Sequence, residues 1–489
     1  MKVLFLMPPA LDGTSAADRC FGCNYGIYPL PHLPTLSMAT LLRDNGFSVA
    51  IHDFASKKTS VDEFRQFILK DDADICIFFS VFLSGKTDTL AREMIRNCRT
   101  SIRFIFTGTQ PTSCPDQFLD MNDSYVIRGE PEFILLNLLQ NFSAGKDATG
   151  INGVSWIKNN SIIENGSAGI IEDLDTLPIP DRTLLDHTPY YNPKLSRTPH
   201  TAILTSRGCF GKCWYCVPNS LSFSRELEFK RFSGKKPIPR LHSVRRVIDE
   251  FQIIHSQGFK SVTVLDDEFL WNEERTIAIC NGIREFKLEW LCLARPDMIT
   301  DQSVTAMAEA GCRYIDLGIE SFSQSILNDV GKNISVGCAR NAIATIKKYG
   351  IEPKVNILFG ASPLETEETI RNTIDIAESL GVRYVLYNVA APFPGTDFYT
   401  AARANHWFVT PDNDYHPLDP SAEAIIEYPH LSQKRLEYFL SYAYRRHYFN
   451  IGYLLSQIRS VQSFSDFWNK LGAAGRIFKR HFMLFHDHK

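Results

Sequence analysis

Residues 205–218 read TSRGCFGKCWYCVP, with Cys209, Cys213 and Cys216 separated by three and then by two residues. Three thiolates on so short a loop can converge on one small metal centre, and Arg207, Gly208, Gly211 and Lys212 make the loop polar and rich in glycine. No fourth Cys or His follows at ligand spacing, whereas structural zinc sites and electron-transfer clusters usually take four protein ligands. The spacing therefore favours a [4Fe-4S] cluster with one iron left open. A zinc knuckle and plain buried thiols are the alternatives.

Length and composition indicate a globular protein of several domains. The chain has 489 residues, 44% of them hydrophobic, which suggests about three domains. The formal net charge of -3 gives no support for a nucleic-acid partner. Twelve cysteines without a signal-like start suit a reducing cytoplasm, and no apolar run approaches the ~20 residues needed to span a bilayer. We therefore expect a cytoplasmic protein without a transmembrane segment.

Strands alternate with helices over residues 1–145, which predicts an α/β fold. The predicted strands are 2–9, 49–53, 74–79, 103–108 and 126–128, and the predicted helices are 36–46, 61–69, 87–98 and 133–142. Near-continuous apolar strands of this kind form a doubly wound, Rossmann-like parallel sheet. Ligands of such sheets bind at the carboxyl ends of the strands.

Small and hydroxylated residues follow these predicted strands. They would let a bulky ligand approach the backbone, although βα turns need the same residue types. The candidate ligand-binding residues are Ser80, Gly108, Thr109, Gln110, Gly129 and Glu130. Cys20 and Cys23 form a CxxC in the first long loop, which we interpret as free cysteines.

Residues 146–196 have a looser, proline-punctuated pattern. A small hairpin is predicted to turn at Asn159 and Asn160, within a linker between two domains. Residues 197–405 then alternate six predicted strands with predicted helices at 244–255, 273–286, 302–310, 336–349 and 365–380, which predicts a partial (β/α)6 barrel. Its predicted strands are 200–207, 261–265, 290–294, 314–318, 354–359 and 384–389. The cysteine loop follows the first of these strands, at the end where barrel enzymes carry their active sites.

Residues 406–489 are predicted to form a C-terminal helical region. The tail 475–489 is basic and apolar, so it could lie on an anionic membrane surface, but we expect it to dock on the barrel. Residues 230–246 are also basic, which we interpret as a solvated face.

Several motifs resemble those of a known family. The cysteine spacing, with Tyr215 before the last Cys, resembles the signature of the radical S-adenosylmethionine (SAM) superfamily. GTQPT at 108–112 and VIRGEPE at 126–132 resemble the cobalamin-binding domain of its B12-dependent members, and AGCRYIDLGIESFSQSIL, AAPFPGTDFY and YRRHY follow the order of that group. Gln110 replaces a family His, Pro131 replaces a Gly, and residues 360–363 read GASP where relatives often have GLPG. No DxHxxG motif occurs, so the resemblance implies cobalamin without a lower His ligand.

The resemblance implies three cofactors: a [4Fe-4S] cluster, SAM and cobalamin. It assigns the cluster to the three cysteines and SAM to Arg295, Glu320, Ser321 and Gly360. Asp266 and Asp267 could contribute to the active site or form structural ion pairs.

The implied reaction is methylation of an unactivated carbon, by way of a 5′-deoxyadenosyl radical and methylcobalamin. Radical oxidation or cyclisation, as in oxygen-independent tetrapyrrole cyclases, is an alternative within the family, and a non-catalytic cobalamin or iron–sulfur sensor is an alternative of another class. An electron donor such as flavodoxin or ferredoxin is implied. The substrate, whether a small molecule, lipid, tetrapyrrole or peptide, is not specified by the sequence.

Overall fold

Strands and helices alternate along the first part of the chain, as predicted. The structure is a computed structural model and describes residues 1–11, 13, 17–22, 28–99, 101–411, 415, 423–449 and 453. The elements of this part are β1 (Lys2–Met7), α1 (Leu33–Asp44), β2 (Ser48–Asp53), α2 (Val61–Lys70), β3 (Ile75–Phe79), α3 (Gly85–Cys98), β4 (Arg103–Thr107), α4 (Thr109–Ser113), β5 (Ser124–Ile127), α5 (Glu132–Ser143), β6 (Val154–Lys158) and β7 (Ser161–Glu164).

These strands form one sheet in the order β2-β1-β3-β4-β5-β6-β7. Strands β1 to β5 are parallel, and Met7 pairs with Asp53 while Phe79 pairs with Thr107. Apolar side chains of α1 and α5 pack on one face, and those of α2 and α3 pack on the other. The doubly wound α/β fold is confirmed, and its strand order reverses between β1 and β3.

The hairpin predicted in the linker forms at the predicted turn. Asn159 and Asn160 have φ angles of 51° and 59°, the left-handed pair that a tight hairpin turn needs. Strand β6 pairs antiparallel with β5, and the Trp156 ring stacks on Tyr125 with 6.4 Å between centroids. The hairpin therefore extends the first sheet.

The second sheet has the six parallel strands that were predicted for residues 197–405. They follow one another in chain order across the sheet, with helices between them. The elements are β8 (His200–Ile203), β9 (Ser206–Arg207), α6 (Ser220–Ser233), β10 (Arg240–Leu241), α7 (Val244–Ser256), β11 (Ser261–Val264), α8 (Glu273–Ile283), β12 (Glu289–Ala294), α9 (Asp301–Glu309), β13 (Cys312–Glu320), α10 (Gln324–Asp329), α11 (Val336–Lys348), β14 (Glu352–Phe359), α12 (Glu367–Ser379), β15 (Tyr384–Val389), α13 (Asp397–Ala404) and α14 (Gln433–Tyr448).

The two sheets meet through the loops at their carboxyl ends. Phe82, which follows β3, lies in the core of the barrel, and its ring centroid is 5.6 Å from Phe393 and 5.7 Å from Tyr415. Helix α14 packs against β15, the last strand of the second sheet, where the Tyr444 hydroxyl donates to the Tyr387 carbonyl at 2.9 Å. The basic tail 475–489 of the predicted C-terminal helical region lies outside the described residues. No helix among the described residues is long and apolar enough to cross a membrane.

Candidate functional site

The cysteine loop lies at the carboxyl end of the first barrel strand, and all three cysteines are partly exposed. Gly211 lies between two of their sulfur atoms. A Cβ atom at Gly211 would be 3.4 Å from Cys209 Sγ and 3.9 Å from Cys213 Sγ. The glycine leaves open the space beside both thiols, where a metal centre needs room.

The donor set fits an iron–sulfur cluster, because cysteine thiolates are the usual ligands of such clusters and each binds a different iron. Cys209, Cys213 and Cys216 supply three of the four ligands that a [4Fe-4S] cluster usually takes, which would leave one iron open.

Two aspartates at the end of β11 hold the cysteine loop on both sides. Asp266 accepts hydrogen bonds from the backbone N–H groups of Thr205 and Ser206 at 2.6 and 3.2 Å. Asp267 accepts from Gly208 N at 3.1 Å, before the cysteines, and from Asn219 N at 2.6 Å, after them. Both carboxylates thus bind backbone of the loop. Burial raises the pKa of Asp266 to about 6 and also raises that of Asp267.

The opposite side of the cysteine loop is held by Trp214. Its backbone N–H donates to the Val330 carbonyl at 3.2 Å, and its indole N–H donates to the Ala361 carbonyl at 2.8 Å. Ala361 lies in the GASP segment after β14. The loop that the resemblance assigns to SAM therefore contacts the loop that carries the cysteines.

Three cationic side chains, those of Lys236, Arg295 and Lys332, lie near the thiols. Lys236 Nζ donates to the Gly211 carbonyl at 3.1 Å, and an Arg295 Nη1 atom would lie 3.2 Å from a Cβ at Gly211. Burial acts to lower the pKa values of Lys236 and Lys332, but nearby carboxylates and thiols outweigh it, so both values are raised. Burial raises the pKa values of the Cys209 and Cys216 thiols. Nearby cations oppose that effect by stabilising thiolates, the form that binds metal.

A β-bulge sets the backbone conformation of Glu320. Strand β13 shifts register between Gly318 and Glu320, and Glu320 has a φ angle of 73°, which is uncommon for a residue with a side chain. Its carboxylate accepts from Lys332 Nζ at 3.1 Å. Such strain is held at functional sites when the surroundings enforce it. The placement suits the predicted contact of Glu320 with SAM.

The other predicted SAM contacts are engaged with protein groups. Arg295 binds the Asp297 carboxylate through two nitrogens, each at 3.0 Å. Ser321 Oγ lies 3.2 Å from Thr373 Oγ1 on α12. The Gly360 carbonyl accepts from the Tyr428 hydroxyl at 2.8 Å. The structure brings Arg295 and Glu320 close to the cysteine loop, whereas Ser321 faces a helix, and the SAM role of each stays a prediction.

Unpaired polar atoms lie at the carboxyl edge of the first sheet. Thr107 Oγ1, Thr109 Oγ1 and Gln110 Oε1 are buried and have no hydrogen-bond partner among the described residues. Gln110 lies over the start of α3, where a Cβ at Gly85 would be 2.0 Å from Gln110 Oε1. Buried polar atoms without partners are costly, so these positions fit a polar ligand bound at this edge.

Ser80, Gly108 and Gly129 have neighbours of their own at this edge. Ser80 Oγ donates to Asp88 at 2.7 Å. Gly108 has a φ angle of 105°, and a Cβ there would be 2.4 Å from the Ser80 carbonyl oxygen. The carbonyls of Gly108 and Gly129 accept from Ser224 Oγ of α6 at 3.1 and 3.0 Å. Part of the predicted ligand edge is therefore covered by the second domain.

Glu130 takes part in a buried network between the domains. Its carboxylate accepts from Arg207 at 2.9 Å, from Arg240 at 2.6 Å and from the Ile171 N–H at 2.6 Å. Glu132 accepts from Arg207 at 2.6 Å. Burial acts to raise the pKa of Glu130, but Arg207 and Arg240 outweigh it, so its pKa lies below the usual value. These contacts join the first sheet to the residue two positions before Cys209.

Sequence reasoning missed Arg207, Lys332 and Lys236 as site residues. Arg207 could have been found, because it lies inside the quoted cysteine stretch and is polar beside an apolar strand. The fold brings Lys332 and Lys236 to the site from outside the cysteine motif. No local sequence pattern marks either residue, so sequence reasoning could not have found them.

Comparisons with known proteins agree with this architecture. Residues 203–377 match the family described as the radical SAM superfamily. The chain is 30% identical over 467 residues to an uncharacterized methyltransferase of Pyrococcus horikoshii, covering 94% of this chain and 95% of that protein. It is 24% identical over 420 residues to an anaerobic magnesium-protoporphyrin IX monomethyl ester cyclase of Rubrivivax gelatinosus, covering 82% and 69%.

Two solved structures share the fold over most of the chain. The methyltransferase TsrM of Kitasatospora setae, with cobalamin and a [4Fe-4S] cluster bound, aligns with a TM-score of 0.64 at 17% identity and covers 89% of this chain and 80% of its own. The cobalamin-dependent SAM radical enzyme OxsB, with aqua-cobalamin and SAM bound, aligns with a TM-score of 0.68 at 15% identity and covers 99% and 72%. At these identities the likeness shows the fold.

Proposed function

The chain belongs to the radical SAM enzymes that carry a B12-type domain before the barrel, and from this premise we propose that it methylates an unactivated carbon of its substrate. The proposed cofactors are a [4Fe-4S] cluster, SAM and cobalamin. The full-length relative at 30% identity is named a methyltransferase, which supports group transfer.

The observation that carries the proposal is the position of the cysteine loop. It lies at the carboxyl edge of the barrel, and Arg207 ties it to Glu130 and Glu132 at the carboxyl edge of the first sheet. Both edges are where folds of these types bind ligands. Two cofactors, one on each edge, would therefore share a single site.

The chain's own residues hold and orient the groups. Cys209, Cys213 and Cys216 bind the cluster, and Asp267 fixes the backbone on both sides of them. Glu320, aimed by its bulge, accepts from the amino group of SAM. When bound, these cofactors supply a 5′-deoxyadenosyl radical and a methyl group, chemistry that acid–base catalysis cannot offer at a C–H bond without a usable pKa. The protein contributes position and exclusion of water.

The first sheet holds cobalamin at the edge where polar atoms are unpaired. Thr107, Thr109 and Gln110 provide hydroxyl and amide groups for the polar side chains of the corrin. No DxHxxG motif is present, so no His of that motif would take part in holding the cofactor. The partners are an organic substrate and a one-electron donor such as flavodoxin or ferredoxin.

Oxidation or cyclisation without methyl transfer is the second candidate. It is favoured by the likeness to the Rubrivivax gelatinosus cyclase, which extends over 82% of this chain.

Isotope labelling distinguishes the two candidates. Anaerobically reconstituted protein is incubated with cobalamin, a reductant, methyl-labelled SAM and a metabolite extract from cells that lack the gene. Mass spectrometry of a new product should find the labelled methyl group. A product without the label would refute methyl transfer and support the second candidate. Cys209→Ala should form no product, whereas the control Cys98→Ala, at an exposed cysteine of α3, should behave as the natural protein.

A further inference from the structure

An exposed apolar and basic surface covers the outer side of the cysteine loop. We define it as the 210–238 surface, formed by Phe210, Lys212, Lys235, Lys236 and Ile238. Phe210 is 42% exposed and Ile238 is 78% exposed. Aromatic side chains are enriched at protein interfaces, whose rims are polar and accessible to solvent.

This surface lies directly against the site described above. Lys236 Nζ donates to the Gly211 carbonyl, and Gly211 lies beside the sulfurs of Cys209 and Cys213. The Ile238 carbonyl accepts from Arg225, which also donates to the Arg207 carbonyl. A partner on this surface is thus separated from the cysteine sulfurs by little more than the loop backbone.

The charge of the surface is positive and in part unpaired. Lys236 pairs with Glu226 at 3.2 Å. Lys212 and Lys235 are exposed, and neither has a carboxylate within ion-pair distance among the described residues. Complementary charge steers an acidic partner towards such a surface and fixes its orientation.

We propose that the 210–238 surface is the docking site of an acidic one-electron carrier protein. This inference rests on the proposed function, because cleavage of SAM needs an electron from outside the chain. One electron leaves the reduced carrier, which is thereby oxidised by one electron, and reduces the cluster held by the three cysteines. No atom is transferred and no covalent bond forms or breaks in the contact itself.

Nucleic acid is a less suitable occupant of this surface. Binding to a phosphate backbone needs many cationic contacts, whereas this surface offers two unpaired lysines. Exposed Phe210 and Ile238 suit the apolar centre of a protein interface, with the lysines at its polar rim.

The test compares two matched double variants. Lys235→Glu/Ile238→Asp changes the surface without altering the cysteine loop. Lys146→Glu/Leu69→Asp makes the matching changes, a lysine to Glu and an aliphatic residue to Asp, at exposed positions of the first domain, where Leu69 is 63% exposed. Two quantities are measured for each: the Kd for oxidised flavodoxin, on protein that has not been reconstituted, and the rate of 5′-deoxyadenosine formation driven by reduced flavodoxin or by dithionite.

The surface variant should raise the Kd by about tenfold or more at low salt and lower the flavodoxin-driven rate to a similar extent. Its dithionite-driven rate, and both properties of the control variant, should stay unchanged. Unchanged flavodoxin affinity in the surface variant would overturn the docking site. Failure of the natural protein to cleave SAM with dithionite would instead contradict the proposed function, and the affinity measurement would still decide the docking site.

Discussion

Replacing Arg207 with Met should destabilise the protein and release its cluster. Arg207 is 5% exposed and is the hydrogen-bond donor to Glu132 among the described residues, while Glu130 keeps a second cation in Arg240. The variant leaves the Glu132 carboxylate buried without a cation. Removal of one partner of a buried ion pair costs about 3–5 kcal/mol, since the remaining charge is not compensated.

A double variant separates lost charge from lost packing. Arg207→Met/Glu132→Leu replaces the pair by apolar groups of similar size, which is often close to neutral in stability. Urea unfolding should therefore show a loss of about 3–5 kcal/mol for Arg207→Met and recovery of at least about 2 kcal/mol in the double variant. Iron per chain after anaerobic reconstitution should follow the same order, because Arg207 lies two residues before Cys209.

A loss below about 1 kcal/mol for Arg207→Met, with full iron content, would refute this reasoning. It would mean that the network is solvated and does not hold the cysteine loop. A double variant that is less stable than the single variant would show that packing of the arginine, and not its charge, is what matters.

Three further predictions test separate parts of the structure. Burial raises the pKa of Glu365 to about 8, so the folded protein binds a proton that the unfolded chain lacks between pH ~4.5 and ~8. This group should make stability fall by up to about 1.4 kcal/mol per pH unit as the pH rises through this window, and Glu365→Gln should reduce the slope in urea unfolding by that amount; an equal slope in both proteins would contradict the assignment. Asp267→Ala should lower iron retention more than Asp267→Asn, which keeps an acceptor for the loop N–H groups, and equal retention would show that Asp267 does not hold the loop. Gly108→Ala should cost at least about 2 kcal/mol more than Gly46→Ala, since both glycines have positive φ but only at Gly108 would the Cβ meet backbone, 2.4 Å from the Ser80 carbonyl oxygen; equal costs in thermal unfolding would show that this contact relaxes.

The strands of the barrel were predictable because each is a short apolar run between turn signals. The predicted strand 384–389 coincides with β15, and the predicted strand 354–359 begins two residues inside β14. The cysteine loop was predictable for a similar reason, because its ligands are close in sequence.

Helix α6 was not predicted, for a physical reason. It is buried between the two domains, and polar residues such as Ser224 and Glu228 lie on its buried side. An element that packs on both sides against polar loops has no apolar stripe to mark it. The ion pairs of Glu130 could not be predicted from the sequence either, because Arg207 is 77 residues away in the chain.

Cleavage of SAM by the reconstituted protein tests the central claim most directly. With dithionite as reductant, the natural protein should show iron–sulfur absorbance and form 5′-deoxyadenosine, and separate Cys209→Ala, Cys213→Ala and Cys216→Ala variants should lose both. Cys98→Ala should keep both. Iron–sulfur absorbance and SAM cleavage that persist without these three cysteines would contradict the account.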